Sequence, residues 1–220
     1  MRLAIADPPY LGRADRWYGS GRGHRRGAGR AAAHEAAGEW DDPATHGALV
    51  ARLEAEYDGW AIAAAADSVP VYASFLPPSV RMCIWVKGNA IPSGSRLANQ
   101  WEPVFVRLPP GRSAHGTGPG ISDVLTAGIS YRHNYVGSKP YAWTHWVLDQ
   151  LGYQPSDELH DLFAGSGAVA FAASLYTPPP SLQCAACGSP IEQRGTGRPR
   201  RTCSDACRRR LARRAYTVSV

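Results

Sequence analysis

Three groups of residues in this chain have side-chain types and spacings that can do chemistry. The first is Asp7-Pro8-Pro9-Tyr10, which follows a short apolar run, Leu3-Ala4-Ile5-Ala6. Each Xaa-Pro bond pushes the preceding residue out of the helical region, so Asp7 and Pro8 must be extended. The result is a stiff, exposed carboxylate at a strand end, with a backbone carbonyl and an aromatic ring beside it. The second group, Asp161-Leu162-Phe163-Ala164-Gly165-Ser166-Gly167, has the form strand, glycine loop, helix start. Such a loop lets a ligand approach the backbone and the unpaired N–H groups of the helix start. Taken alone it is equally a steric device between a strand and a helix. No Gly-Lys-Ser/Thr follows, so it is not a Walker loop and phosphoryl transfer is disfavoured. The third group is Cys184-x-x-Cys187 and Cys203-x-x-x-Cys207, separated by fifteen residues. This spacing is close to that of four-cysteine zinc sites. A disulfide and a redox CxxC are the alternatives; the first conflicts with a reducing compartment, and the second leaves one pair unexplained.

Charge separates the third group from the other two. The chain carries +6 over 220 residues, and its basic side chains are arginines except for Lys87 and Lys139. Cys184 to Val220 has nine arginines against Glu192 and Asp205, a charge of +7, which leaves the other 183 residues at −1. A nucleic-acid-like charge therefore belongs to the tail. Four thiolates on one zinc contribute about −2, so the tail stays basic at about +5. No apolar run is long enough to span a membrane, and Arg2 with five apolar residues is too little for a secretory signal. The expected location is cytoplasmic, where five cysteines stay reduced unless they bind metal.

The elements that must position these groups read as alternating strands and helices. Leu3 to Ala6 is a buried strand. Leu11 to Gly47 has no apolar periodicity and reads as a loop; its stretch from Gly19 to Gly27 is either a solvated linker or a loop that closes on a phosphate backbone. Pro43 opens a helix that runs to about Glu56, and Trp60 to Ala65 suits a central strand. Ser68 to Leu76 is a short helix, and Arg81 to Lys87 and Trp101 to Leu108 are strands. Pro109 to Val136 is an irregular, glycine-rich connection of the length that is usually functional or disordered. Pro140 to Leu151 is a helix, Asp157 to Phe163 a strand, and Ala168 to Leu175 a helix. Pro178-Pro179-Pro180 is a stiff spacer. The fold class is α/β, with a mostly parallel sheet covered on both faces.

Together the first two groups resemble an S-adenosylmethionine-dependent DNA amino-methyltransferase, of the adenine-N6 or cytosine-N4 kind. The catalytic Asp-Pro-Pro-Tyr before the cofactor Phe-x-Gly-x-Gly is the permuted order of that family's beta class. Trp85-Val86-Lys87, Trp101-Glu102-Pro103-Val104 and Gly137-Ser138-Lys139-Pro140 look like its later strands and pre-cofactor helix. The resemblance implies a Rossmann-like fold over residues 1–176 and double-stranded DNA as partner. It implies that Asp7 and the Pro8 carbonyl accept hydrogens from a base amine, while Tyr10 stacks on the flipped base beside Pro9. It assigns Asp161, Phe163, Ala164, Gly165, Ser166 and Gly167 to S-adenosylmethionine, with Lys139 near its carboxylate, although a solvated lysine would read the same way. Asp at the first motif position favours adenine N6. In the family another strand follows the cofactor helix and ends in an acid that holds the ribose. Here Leu175-Tyr176-Thr177 runs into the prolines, so the expected sheet is truncated to about five strands, with the cofactor strand near an edge.

Residues 177–183 read as a proline-rich linker and 184–220 as a basic zinc-ribbon tail. Cys184, Cys187, Cys203 and Cys207 are the ligands of a structural zinc, and Arg208 to Arg214 continue on a helix that adds phosphate contact. Cys83, Trp60 and Trp85 read as core, and the histidines are given no role. The rival to an enzyme is a non-catalytic DNA-binding protein built on a degenerate methyltransferase fold.

Overall fold

The structure, a computed structural model, describes residues 1–19, 34–89, 97–112, 120–129, 138–178, 183–189, 191 and 200–217. Most of the Gly19–Gly27 stretch, Gly137, and Pro179 and Pro180 of the spacer lie outside the described residues. Strand β1 (Arg2–Ala6) is buried from Leu3 onward. It lies between two parallel neighbours, β2 (Gly59–Ala63) and β6 (Glu158–Asp161). A strand covered on both faces needs apolar residues at every position, which Leu3-Ala4-Ile5-Ala6 supplies.

Beyond β2 come β4 (Trp101–Arg107), β3 (Arg81–Val86) and β5 (Val124–Thr126), giving the order β5-β3-β4-β2-β1-β6. β4 runs antiparallel to both its neighbours, while the other three ladders are parallel. The sheet thus has six strands rather than about five. The extra one, β5, falls in the connection read as irregular. Its three residues are too few to show a period, and it is held by pairing with Ile84, Trp85 and Val86. As expected, β6 is an edge strand, and among the described residues no strand lies beyond it.

Helices cover both faces. On one, Leu3, Ile5, Ala63, Trp85 and Val104 pack against α4 (Tyr141–Leu151) and Val169 of α5 (Ala168–Ser174). On the other, Ala4, Ala6, Trp60, Ile62 and Phe105 pack against α2 (Pro43–Glu56) and Tyr72 of α3 (Val69–Tyr72). The alternation of Leu3 and Ile5 with Ala4 and Ala6 is the strand period distributing bulk between two layers. α2 begins where Pro43 fixes the first turn and Asp42 accepts from the Ala44 N–H.

The described parts of the stretch after Tyr10 hold regular structure that its composition does not suggest. It contains α1 (Ala14–Tyr18) and a 3-10 segment, Glu35–Asp41. The Asp41 carboxylate accepts from the N–H groups of Ala14 and Asp15, so a residue beyond the glycine-rich stretch caps α1. In the tail, α6 (Asp205–Thr217) begins between Cys203 and Cys207 and carries Cys207 in its first turn. Among the described residues no helix is long and apolar enough to cross a membrane.

Candidate active site

The two motifs meet because β1 and β6 are neighbours. Ile5 is in register with Asp161, and the Leu162 N–H donates to the Ile5 carbonyl at 3.0 Å. Asp7-Pro8-Pro9-Tyr10 and the glycine loop therefore leave the same edge of the sheet, at the carboxyl ends of adjacent parallel strands. In open α/β sheets this is where ligands bind.

Asp7 is not a solitary carboxylate. Its Oδ1 accepts from the Lys139 ammonium at 2.8 Å, and Lys139 also donates to the Tyr10 hydroxyl at 2.9 Å. Tyr10 donates in turn to Glu102 Oε2 at 2.6 Å, and Glu102 Oε1 accepts from Lys87 at 3.1 Å. Lys139 also lies 3.5 Å from Glu102 Oε2. Its ammonium faces the rings of Tyr10, Trp85 and Trp143 at 5.3, 5.7 and 5.6 Å from their centroids.

The electrostatics follow from burial and from these pairs. Burial pushes the Asp7 carboxyl above its ordinary value, against Lys139, which pulls it down. Burial would lower the Lys139 ammonium, but Asp7 and Glu102 reverse this and hold it above the lysine value, charged at neutral pH. Burial would raise Glu102, and Lys139 and Lys87 more than offset that. The Tyr10 hydroxyl is pushed up by burial and by the two carboxylates, so it stays a donor.

At the second motif, Gly165 and Gly167 have φ of +43° and +72°. Among the described residues nothing lies within 4 Å of where a Cβ on Gly167 would stand, so the loop has open room beside it there. Asp161 Oδ1 accepts from the Phe163 N–H at 3.3 Å, whereas the buried Oδ2 has no hydrogen-bond partner among the described residues. Burial raises this carboxyl too. A buried acceptor without a donor, beside a glycine loop with open room, fits a ligand that brings the donor. These residues therefore fit S-adenosylmethionine on the loop side. Ser166 Oγ lies 3.4 Å from Ser138 Oγ and accepts from the Ala168 N–H.

Phe163 is held by a partner the sequence did not suggest. Its ring meets Trp40 edge-on at 5.0 Å. The Trp40 carbonyl accepts from His46 Nε2, which leaves His46 Nδ1 to accept from the Tyr72 hydroxyl at 2.7 Å. Burial lowers His46, so it is a neutral structural histidine. Lys139 lies with Asp7-Pro8-Pro9-Tyr10, and Glu102 and Lys87 join them without having been assigned to the site. One signal for the lysines is visible in the chain: they are its only two, against a background of arginine.

The four cysteines of the tail form a separate centre. Their Sγ atoms lie within 4.8 Å of one another, with Cys187–Cys203 at 3.6, Cys203–Cys207 at 3.5 and Cys187–Cys207 at 3.7 Å. A tetrahedral zinc thiolate site has S···S edges of about 3.8 Å, so the thiols fit the ion. Gly188 (φ +75°) turns the knuckle after the first pair, and its N–H donates to the Cys184 carbonyl. Against burial, which would raise it, backbone N–H groups of Cys203, Ala186 and Cys187 pull the Cys184 thiol down to about 6. Cys184, Ala186 and Ile191 make a small core with Leu211 of α6. Cys83 is a buried strand residue elsewhere, pushed up to about 11 by burial.

No protein-family model matches the chain, and no curated protein matches it. Among solved structures the fold is similar to that of M1.HpyAVI in its complex with SAM. The TM-score is 0.51 at 15% identity, covering 79% of this chain and 77% of that one. A second M1.HpyAVI structure gives 0.47 at 17% identity, covering 79% and 75%. The likeness is one of fold.

Proposed function

We propose that the chain transfers a methyl group from S-adenosylmethionine to the exocyclic amine of a DNA base, with adenine N6 preferred to cytosine N4. The observation that carries this reading is the adjacency of Asp7-Pro8-Pro9-Tyr10 and the glycine loop on neighbouring parallel strands. The similar fold of M1.HpyAVI, solved with SAM, supports it.

A base amine is a poor nucleophile because its lone pair is delocalised into the ring. Asp7 and the Pro8 carbonyl accept its two hydrogens, localise the lone pair and aim it. Tyr10 stacks on the base once it leaves the helix. Asp161, Phe163, Ala164, Gly165, Ser166 and Gly167 hold the cofactor. Bound there, S-adenosylmethionine supplies a methyl group on a positively charged sulfur, which leaves as the thioether when the N–C bond forms. Asp7 takes the proton that the nitrogen sheds and returns it to solvent. The protein's contribution is positioning and electrostatics.

The tail, 184–220, holds a structural zinc through Cys184, Cys187, Cys203 and Cys207 and adds largely sequence-independent contacts to phosphates. Residues 1–176 form the catalytic domain and 177–183 the linker. A second reading, a non-catalytic DNA-binding protein, is favoured by one observation: among the described residues the sheet ends at β6, where the family carries a ribose-binding strand. Calorimetric titration with S-adenosylmethionine separates the two. The enzyme reading predicts saturable heat, and its absence supports the second.

A further inference from the structure

The most buried charge at the site is the Lys139 ammonium, and its surroundings define its task. The Lys139 side chain is 4% exposed, while that of its partner Asp7 is 22% exposed. The carboxylate is the member of the pair that solvent reaches, and the ammonium backs it from inside. Lys139 has three N–H donors. Asp7 Oδ1 and the Tyr10 hydroxyl take two at hydrogen-bond distance, and Glu102 Oε2 lies just beyond at 3.5 Å. Three aromatic faces wall the same ammonium. A compact tetrahedral ammonium suits such a cage, and a planar guanidinium does not. In a chain that otherwise uses arginine, both lysines lie in this one cluster.

We propose that Lys139, locked in place by Glu102, is a positioning residue for the amine-accepting carboxylate, fixing Asp7 and Tyr10 rather than contacting the cofactor. The proposal rests on the function given above. Holding one Asp7 oxygen from behind fixes the carboxylate rotamer and turns its open side toward an incoming donor. Glu102 anchors the Tyr10 ring by its hydroxyl and Lys139 by its charge, and Lys87 neutralises Glu102. Lys139 before α4, Glu102 on β4 and Tyr10 act on Asp7, and the Asp7 charge in turn raises Tyr18 of α1, Tyr72 of α3 and Asp161 of β6.

The test uses Lys139→Met and Glu102→Gln in the full-length protein, with three measurements. These are S-adenosylmethionine affinity by calorimetry, the pH profile of kcat for methyl transfer, and the Asp7 titration followed by carbon NMR without cofactor. Lys139→Met should leave the cofactor Kd within about threefold while kcat falls on the order of 100-fold, the cost of a misplaced reacting group. Removing the cation raises the Asp7 pKa, so the acid limb of kcat moves to higher pH. Glu102→Gln removes a like charge and moves it to lower pH. A cofactor Kd that weakens in step with kcat in Lys139→Met, with the Asp7 titration unmoved in both variants, overturns the proposal. If Lys139→Met fails to fold, the Glu102→Gln titration decides by the same criterion. A wild type that neither binds cofactor nor transfers methyl overturns the function itself, a result separate from the NMR titration.

Discussion

Ile5 and Asp161 face each other across a parallel ladder although they lie far apart in the sequence. That register puts a strand ending in Asp7-Pro8 beside one ending in the glycine loop. The ladder brings the Asp7 carboxylate and the glycine loop to the same end of the sheet.

Tyr10 has two separable tasks. Its ring is the proposed stacking surface, and its hydroxyl ties Glu102 to Lys139. Tyr10→Phe keeps the ring, so DNA affinity should change little while kcat falls severalfold. Tyr10→Ala should also weaken binding of a flipped-base DNA analogue, by about 1–3 kcal/mol. Fluorescence of 2-aminopurine at the target position reads the difference.

Gly167 opens α5 with φ +72° and, among the described residues, nothing within 4 Å of a new Cβ. Gly167→Ala therefore meets no clash, and its cost is backbone strain of about 1–2 kcal/mol. Thermal unfolding should fall by a few degrees, and S-adenosylmethionine affinity should drop severalfold as the loop relaxes.

Asp157 secures the start of the sheet. Its side chain, 2% exposed, takes both Arg112 nitrogens at 2.5 and 2.9 Å, the Gln154 N–H and the terminal amine. Burial opposes these bonds, but they hold the carboxyl at about 2, below its ordinary 3.8. A depressed folded-state value gives stability that is present above pH about 4 and lost as pH falls toward 2. Asp157→Asn should cost about 2 kcal/mol at pH 7, with the gap to wild type closing across that window. Urea unfolding at a series of pH values measures it.

The four thiols stand at the corners of a zinc-sized tetrahedron, and among the described residues the tail's core is small: Cys184, Ala186 and Ile191, with Leu211 packed against them. Such a segment needs the ion to fold. A strong chelator, or Cys203→Ser, should release about one zinc per chain and lower the helical signal, while the sheet domain unfolds at an unchanged temperature. Unchanged metal content in Cys203→Ser would contradict the four-cysteine centre.

Much of this was legible in the sequence, and the reason differs from element to element. α2 starts at Pro43 and stops at Glu56 because a proline and an Asp cap mark one end and Asp58-Gly59 the other. β1 was readable because a strand buried on both faces is apolar throughout. α1, the 3-10 segment and β5 were not. Each is short, and each is fixed by remote partners: Asp41 on α1, and Ile84 to Val86 on β5. At the site, local motifs marked Asp7 and the glycine loop. Glu102 and Lys87 carry no motif of their own, since it is the pairing of β3 with β4 that brings Lys87, just past β3, to Glu102, which meets Tyr10. The hint for Lys87 was composition, one of two lysines in a chain of arginines.

Methyl transfer at Asp7 is open to a single assay. Wild type and Asp7→Ala are incubated with methyl-labelled S-adenosylmethionine and double-stranded DNA, and label in the DNA is counted. The account predicts incorporation by wild type and loss of at least about 100-fold in Asp7→Ala, with cofactor affinity retained. Equal incorporation by both proteins, or none by a wild type that binds DNA, would contradict it.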